Sequence, residues 1–376
     1  MRKTYKFRLY PTKQNIQKLL LTLDKCRFVY NYLLEQKSKT KMNRYELSTL
    51  LTKLKNEIPE LKKVHSKPLQ YENSRLNSNI IALNRMKKNG RKIGKLRFKG
   101  KNWFKTFTYS QHGFKIIRRN TIHDLLMLSK IGSIPMVMHR DIQGKIKQVT
   151  IKHEPTGKWF ASIVAETNDE ILPTKNKNVV GIDLGLDDYV YDSDGTHTKA
   201  PKIFNNSIEK IRKEQRRLSR KKLGSNNRIK QRIKVARIHE KINNQRDDFL
   251  HKLSTNYVNK YGFIAVEDLQ ISNMVKNPYL SRSIMDASWS KFIQMLEYKA
   301  ESAGVQVMKV EPRYTTQKCS NCGNIVKKSL SQRTHKCECG LILPRDYNSA
   351  INILNIGLDK PEYTPVEIEP LCINHA

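Results

Sequence analysis

The sequence contains no long hydrophobic run. No apolar stretch approaches the roughly 18 residues of a transmembrane helix, and no basic amphipathic segment stands apart as a membrane-surface helix. The basic start Met1-Arg2-Lys3 is followed by alternating polar and apolar residues, which lack the apolar core of a signal peptide. We therefore expect an intracellular, cytoplasmic protein that has no membrane partner.

Acidic residues and cysteines are also scarce. The 376 residues include 71 Lys+Arg against 34 Asp+Glu, a formal net charge of +37 that exceeds what solubility requires. A polyanion is therefore the expected partner, and nucleic acid is favoured over membrane. The chain is long enough to bury a core without disulfides, so its stability need not come from its six cysteines. Four of them lie between residues 319 and 339. In a reducing compartment such a cluster binds metal more often than it pairs.

The order of predicted elements indicates several domains. Residues 3–9 alternate as a half-buried strand, residues 13–89 have helical spacing, and residues 91–165 contain short β-type runs separated by Gly and Pro. We expect the first strand to join these runs in a small barrel or sheet, with the helices as an insertion. Residues 166–178 are polar and predict a linker.

The second half alternates strands with helices. Two apolar runs that each end in an acid, VVGIDLG and GFIAVEDL, predict buried strands. Residues 206–258 predict one or two long helices, residues 286–303 an amphipathic helix, and a closing helix begins at Asp346. The whole chain therefore predicts a multidomain fold, an α/β part preceded by a β-barrel part.

The cysteines form the most specific motif. Cys319-Ser-Asn-Cys322-Gly and, after fourteen residues, Cys337-Glu-Cys339-Gly make two tight turns that can bring four thiolates onto one tetrahedral zinc ion. Two disulfides or unliganded core thiols are the alternatives, and the polar neighbours favour zinc. Because four thiolates leave no vacancy, His335 and His153 are interpreted as surface residues or RNA contacts.

Three acids suggest a second metal site. Asp183 and Glu267 each end a buried β-run, where an unpaired carboxylate is disfavoured unless a cation or hydrogen bonds compensate it. Asp346 opens a helix, where aspartate commonly acts as a cap. Each acid alone is more often structural than catalytic. Together, in a cationic α/β domain, they suit a centre of two Mg²⁺ ions that hydrolyses phosphodiesters.

Neighbouring acids keep this assignment open. Asp268 could replace Glu267, and Asp187 or Asp188 could serve beside Asp183. Adjacent residues on a strand point to opposite faces, so only one of residues 267 and 268 can face a shared site.

Two basic segments predict nucleic-acid contacts. Residues 201–250 contain sixteen Lys/Arg and five Asp/Glu, and most of these bases lack an acid at i+4, which favours phosphate contact over a solvated helix face. Residues 95–109 interleave bases with aromatics, a mixture suited to phosphate contact and base stacking. Part of this aromatic set must be barrel core, and the sequence does not divide it.

Several motifs in the same order resemble the TnpB family, transposon-encoded relatives of type V CRISPR effectors. They are KTYKFRLYPTKQ, GIDLGL, NNQRDDFLHKLS, AVEDL, VEPRYTTQKCSNCG and CECG followed by RDYNSAINIL. The resemblance spans nearly the whole chain. It implies an RNase H-like RuvC nuclease domain with a zinc-finger insertion, preceded by an oligonucleotide-binding-type wedge barrel with a helical recognition insert. The implied bounds are 1–10 and 91–170 for the barrel, 11–90 for the helical insert, 175–376 for the RuvC domain, 314–343 for the zinc finger and 358–376 for a C-terminal tail.

The resemblance also implies chemistry and partners. The RuvC acids fall on Asp183, Glu267 and Asp346, with two catalytic Mg²⁺ ions, and the structural zinc ligands fall on Cys319, Cys322, Cys337 and Cys339. The expected function is RNA-guided cleavage of both DNA strands next to a short motif, which supports transposon maintenance. A guide RNA from the transposon end and double-stranded target DNA are the implied partners of a monomer that is associated with the nucleoid when on DNA.

Two details depart from this pattern or stay open. Pro344 stands where the family often has a further acid, two residues before Asp346. Arg345 is interpreted either as a contact to the scissile region or as a surface residue at the helix start.

Two other functions are weighed. One is a nuclease-inactive, RNA-guided DNA-binding repressor, whose mark would be a lost acid. The other is a guide-independent, zinc-containing DNA-binding accessory protein of a transposase, in which the acids are structural. Since all three acids are present, the nuclease is favoured.

Overall fold

A computed structural model describes residues 1–40, 42–101, 103–119, 123–167, 172–329 and 331–360. The chain divides into two compact units, Met1–Asp169 and Glu170–Ala376. The predicted tail at 358–376 lies outside the described residues from residue 361 onward. Within the described residues, no helix is both long enough and apolar enough to cross a membrane.

The first unit contains a seven-stranded antiparallel sheet that is nearly closed and barrel-like. Its strands run in the order β2-β6-β7-β1-β5-β4-β3. They are β1 (Arg2–Leu9), β2 (Thr106–Ser110), β3 (Phe114–Ile117), β4 (Asp124–Leu128), β5 (Gly132–Val137), β6 (Lys145–His153) and β7 (Trp159–Glu166). Alternate residues of β7 are buried, as period-2 patterning predicts. The expectation that the first strand joins the later runs is confirmed, because β1 pairs with both β5 and β7.

Three helices follow β1 and pack onto the same core. They are α1 (Lys13–Lys39), α2 (Arg44–Glu57) and α3 (Ser66–Lys88), with a 3₁₀ turn at Pro59–Lys63. Helix α2 begins with a reciprocal capping box between Asn43 and Glu46. Buried side chains of the helices and of the sheet form one continuous cluster, so the helices do not need a core of their own. Glu72 of α3 is fully buried in this cluster beside Arg75.

The second unit is built on a five-stranded mixed sheet. Its strands are β8 (Val179–Leu184), β9 (Asp188–Asp192), β10 (His197–Lys199), β11 (Phe263–Glu267) and β12 (Gln306–Val310), in the order β10-β9-β8-β11-β12. Strands β8, β11 and β12 are parallel to one another. Strand β9 pairs antiparallel with β8, and β10 pairs antiparallel with β9. Every residue of β11 is buried, which explains its uninterrupted apolar run.

Helices join and cover these strands. They are α4 (Ile203–Ser219), α5 (Asn226–Lys260), α6 (Ile271–Met274), α7 (Ser281–Ala287), α8 (Trp289–Ala303) and α9 (Arg345–Leu358). The basic region therefore forms two helices. The helix predicted from residue 286 instead begins at Trp289, because Ser288 adopts a left-handed conformation that separates α7 from α8. Asp286 ends up in α7, where its carboxylate accepts hydrogen bonds from Phe204 N at 3.0 and 3.1 Å and so caps α4.

The cysteine-bearing segment lies between β12 and α9 and includes a short hairpin. Its strands are β13 (Thr334–Lys336) and β14 (Ile342–Pro344). His335 is fully buried in this hairpin, so its interpretation as a surface residue is wrong. Its Nδ1 contacts Lys328 Nζ, and burial, followed by the lysine charge, lowers the pKa of His335. In the first unit, His153 is half-buried and stacks on Trp159 with ring centroids 4.3 Å apart.

Candidate functional site

Two of the predicted acids end neighbouring parallel strands. Ile182 of β8 pairs with Val266 of β11, so the next residues, Asp183 and Glu267, follow side by side at the same edge of the sheet. Both side chains are buried, with 8% and 6% of their residues' surface exposed. The sheet register therefore brings two carboxylates together in a place where water cannot freely solvate them.

Helix α9 brings the third acid to the same place. An added Cβ at Gly181 would lie 2.2 Å from the carbonyl oxygen of Ala350, so α9 lies directly against β8 and requires glycine there. Asp346 precedes Ala350 by about one helical turn. The pKa of Asp183 is raised by burial and then by the charges of Glu267 and Asp346. The structure thus gathers all three predicted acids at one site.

The electrostatics of these carboxylates favour a bound cation. Burial also raises the pKa of Glu267, and the hydrogen bond from the Thr315 hydroxyl opposes this shift. Crowded, desolvated carboxylates resist ionisation unless positive charge offsets their repulsion. A set of carboxylate oxygens is the donor set that a hard divalent cation such as Mg²⁺ prefers. The chemistry of this donor set therefore suits a divalent cation, and the magnesium site stays a prediction.

Two arginines contact Asp346. Arg345 Nε lies 3.0 Å from Asp346 Oδ1, and Arg333 Nη1 lies 3.8 Å from Oδ2. The Arg345 side chain is 15% exposed, so most of its surface is covered, and both interpretations of its role stay predictions. Pro344, and not Asp346, occupies the N-cap position of α9. The carboxylate of Asp346 therefore lies in the first helical turn between two guanidinium groups.

The alternative acids lie elsewhere. Asp268 is exposed, as expected for the residue that follows the buried Glu267. Asp187 is exposed and pairs with Lys202 at 2.9 Å and with Arg333 at 3.1 Å. Asp188 pairs with Lys199 at 2.8 Å. These contacts are ordinary ion pairs at the margin of the site.

The four cysteines converge on one point. Their Sγ atoms all lie within 4.8 Å of one another, with Cys319 and Cys339 3.7 Å apart and Cys322 and Cys337 3.5 Å apart. A Zn–S bond of about 2.3 Å in a tetrahedron requires an S···S distance of about 3.8 Å, so the arrangement fits zinc. Gly323 and Gly340 have positive φ angles of 79° and 90°, which permits both tight turns, including the shorter C-x-C turn.

Basic surfaces lie on both units. On α4, cationic side chains line one groove. Two arginines of this helix pair with acids three residues earlier, Arg212 with Glu209 and Arg217 with Glu214. Both pairs have i,i+3 spacing, so the lack of an acid at i+4 does not leave these two arginines unpaired. The groove is lined by Lys210, Lys213, Arg216, Arg217 and Arg220 together with Glu209.

In the first unit, a groove between α2 and α3 is lined by four cations and no acid: Arg44, Lys55, Lys62 and Lys67. Three of these cations donate to neutral oxygens, Arg44 to Ser74 at 3.1 Å, Lys55 to Ser66 at 2.8 Å and Lys67 to Gln111 at 3.1 Å. These bonds leave the positive charge of the groove available to an anion.

The basic aromatic segment divides into core and surface. Phe104, Phe107 and Tyr109 are buried in the first unit. Phe98 and Trp103 are 62% and 84% exposed. Only the two exposed rings are therefore available for base stacking.

Two residues that contact the acids, Thr315 and Arg333, were not predicted from the sequence. Thr315 Oγ1 donates a hydrogen bond of 2.6 Å to Glu267 Oε1, and both side chains are buried. The available signal was its position four residues before Cys319, which ties it to the metal-binding turn. Arg333 was also missed, because its contact with Asp346 depends on how the hairpin folds back onto α9.

Family models match three parts of the chain. A model described as "Probable transposase" matches residues 162–278, and one described as "Cas12f1-like, TNB domain" matches residues 289–353, which include the four cysteines. A model described as "Helix-turn-helix domain" matches residues 1–43, where the structure has β1 and α1.

Relatives match almost end to end. A Streptomyces pristinaespiralis protein, provisionally named an RNA-guided DNA endonuclease, is 32% identical over 374 residues, which cover 95% of this chain and 90% of the relative. An Escherichia coli K12 protein, provisionally named the RNA-guided DNA endonuclease InsQ, is 32% identical over 380 residues, with 94% and 92% covered. A cryo-EM structure of a Cas12f1–sgRNA–target DNA complex has a TM-score of 0.63 at 14% identity and covers 94% of this chain and 99% of that one.

The fold is therefore Cas12f1-like, and the relatives define the class as endonucleases, which are hydrolases. The chain belongs to the TnpB family of RNA-guided DNA endonucleases, and the resemblance found in its motifs is confirmed.

Proposed function

We propose that this protein cleaves both strands of a DNA target, selected by a guide RNA, through hydrolysis at Asp183, Glu267 and Asp346. The observation that carries the proposal is the convergence of these three acids, two of them buried. Structural acids would normally be paired or exposed, whereas here burial and mutual repulsion raise the pKa of Asp183. Such an arrangement is costly unless a cation occupies it.

The three carboxylates would hold two Mg²⁺ ions. Bound there, the ions would supply an activated water and stabilise the leaving oxygen of the phosphodiester. Asp183, Glu267 and Asp346 would together hold these ions, with all of their carboxylate oxygens as candidate ligands. Arg345 and Arg333, which contact Asp346, lie where they could also bind the phosphate that is cut.

The domain roles follow the family pattern. We assign residues 175–376 to an RNase H-like RuvC nuclease domain and residues 314–343 to its zinc finger. The barrel formed by residues 1–10 and 91–170 would be the oligonucleotide-binding wedge, and residues 11–90 its helical recognition insert. The cysteine geometry supports a structural zinc ion, since the S···S distances of 3.5 and 3.7 Å suit tetrahedral ligation.

Guide RNA and target DNA are the proposed partners. The charge of +37 and the basic surfaces of α4 and of the α2–α3 groove suit phosphate backbones. A Cas12f1 relative in fold has been solved with sgRNA and target DNA, which supports the same pair of partners here. Base pairing would then select the target, while the protein reads a short motif next to it. Cleavage would serve to maintain the transposon that encodes the guide.

The test expresses the protein with its flanking transposon DNA, sequences the RNA that copurifies and assays cleavage of a matching plasmid library with and without Mg²⁺. Asp183→Ala should abolish cleavage and retain RNA binding. Asp268→Asn is the matched control, because it removes an exposed neighbouring carboxylate and should cut as the wild type does.

The same experiment separates the alternatives. Double-strand breaks next to one short motif would establish the guided nuclease. Specific RNA without cleavage would instead support a nuclease-inactive repressor, and the absence of specific RNA would support a guide-independent DNA-binding accessory protein.

A further inference from the structure

The cysteine-bearing segment contacts Glu267 through Thr315. The hydrogen bond from Thr315 Oγ1 to Glu267 Oε1 is 2.6 Å long, and 2% and 6% of the two residues' surface is exposed. Glu267 ends a fully buried strand. A short, desolvated bond from a β-branched side chain restricts which way the carboxylate can turn.

The backbone between Thr315 and Ser320 is tied to α9. Asn352 Nδ2 donates to the carbonyls of Thr315 at 2.9 Å and of Lys318 at 2.7 Å. Asn348 donates to the Lys318 carbonyl at 2.8 Å and accepts from Ser320 N at 3.0 Å. Both asparagines are buried, where unpaired amides would be costly, so these bonds account for their presence in the helix.

These bonds enclose the first cysteine. Lys318 and Ser320 flank Cys319, which is 1% exposed. The asparagines therefore hydrogen-bond to the backbone on both sides of a predicted zinc ligand. The same helix carries Asp346. One path of contacts therefore leads from Cys319 to Thr315 and on to Glu267.

The far part of the segment contacts Asp346. Arg333, in the stretch between Cys322 and Cys337, lies 3.8 Å from Asp346 Oδ2. The chain there is held to α9 by Arg345 N, which donates to the Arg333 carbonyl at 2.8 Å, and by Arg345 Nη1, which donates to the Gln332 carbonyl at 3.1 Å. The segment thus touches two of the three acids from two directions.

We propose that Thr315 is a positioning residue for Glu267, and that the zinc-binding turn sets the geometry of the acid cluster through it. The inference rests on the proposed function, because it assumes that the acids bind divalent cations. Zinc at Cys319 would fix the turn, the turn fixes the Thr315 hydroxyl, and the hydroxyl fixes the Glu267 carboxylate. Removing that hydroxyl should weaken cation binding at the acids and leave zinc in its site.

The test uses Thr315→Val, which keeps the shape of the side chain and removes the donor. Mn²⁺ is titrated into the full chain with its copurified RNA, with the Asp183→Ala complex as the blank, and zinc is counted by elemental mass spectrometry. We expect Mn²⁺ affinity at the acid site to fall about 10–100-fold, as for other residues that orient metal ligands. Zinc content and RNA binding should stay at wild-type levels.

Two controls isolate the hydroxyl. Thr315→Ser retains the donor and should restore most of the affinity, and Thr316→Val changes the next residue, whose side chain does not contact an acid in the described contacts, and should behave as the wild type does. Asn352→Ala removes the donor to the Thr315 carbonyl and should lower Mn²⁺ affinity in the same direction. If Thr315→Val fails to fold, the Mn²⁺ affinity of Asn352→Ala tests the positioning role instead.

The outcomes distinguish the two proposals. If the wild type and Asp183→Ala bind Mn²⁺ equally, the acids are not a cation site and the proposed function fails. If Asp183→Ala loses Mn²⁺ while Thr315→Val binds it as the wild type does, only the positioning role is overturned. Loss of zinc in Thr315→Val together with Mn²⁺ would also overturn it, because the effect would then be loss of the fold of the segment.

Discussion

Replacing Asp183 with asparagine should stabilise the protein in magnesium-free buffer while abolishing cleavage. Asp183 is 8% exposed, and its pKa is raised by burial and by the charges of Glu267 and Asp346. Relief of a buried, poorly compensated charge is worth about 1–3 kcal/mol. For a unit of this size, each kcal/mol corresponds to about 2–4 °C in Tm, so we expect a rise of about 2–12 °C.

Calorimetry with and without Mg²⁺ measures this effect. Mg²⁺ should raise the Tm of the wild type by binding the folded state and should have little effect on the Tm of Asp183→Asn. The difference in Tm between the two proteins should therefore become smaller or change sign. The advantage of Asp183→Asn should also shrink as the pH falls, because the wild-type carboxyl then becomes neutral. The exposed control Asp268→Asn should change stability by no more than about 0.5 kcal/mol. An unchanged or lower Tm for Asp183→Asn without Mg²⁺ would refute the electrostatic argument.

Three further changes test other parts of the structure. Burial raises the pKa of Glu72 to about 8, above its ordinary 4.5. Its contribution to stability is therefore present below pH 4.5 and is lost as the pH rises through 8. In Glu72→Gln, the free energy of unfolding measured with urea should depend less on pH across this window. Gly181→Ala should cost about 1–3 kcal/mol or more by pushing α9 away, whereas Gly94→Ala, with open space around it, should be silent in thermal melts. Cys337→Ser should lower zinc content and expose the cysteine-bearing segment to limited proteolysis, and retained zinc would contradict the four-thiolate site.

Local patterns predicted much of the fold. The apolar run ending at Glu267 predicted a buried strand, and β11 is buried throughout. The alternation in residues 3–9 predicted a half-buried strand, and β1 alternates as expected up to Leu9. These predictions succeed because the period of buried residues is written in consecutive positions. Likewise, the acids and cysteines could be singled out because their chemistry limits where such residues occur, although their catalytic and metal-binding roles stay predictions.

Contacts made between distant elements could not be predicted. Ser288 looked like part of a helix, but a left-handed conformation there separates α7 from α8. Asp286 lies in α7 and accepts hydrogen bonds from Phe204 N in the first turn of α4. His335 looked like a surface residue, yet the hairpin encloses it. Asp286 contacts Phe204, which is 82 residues away in the chain. The partners of His335 are closer, Lys328 and the facing hairpin residue Leu343, but nothing in the sequence indicates that the segment folds back on itself there.

The contact between Thr315 and Glu267 likewise depends on how the chain folds, and we propose that it positions the Glu267 carboxylate. A structural zinc finger could be attached to a nuclease by a flexible loop and serve only to grip nucleic acid. Here the start of the cysteine-bearing segment is hydrogen-bonded to buried asparagines of α9 and to Glu267, while Arg333 contacts Asp346. Contacts of this kind are costly to desolvate and are of little use to a freely moving domain. Such contacts are expected if folding of the segment around its metal also positions Glu267 and Asp346. The spacing from Thr315 to Cys319 is then as much a part of the site as the acids themselves.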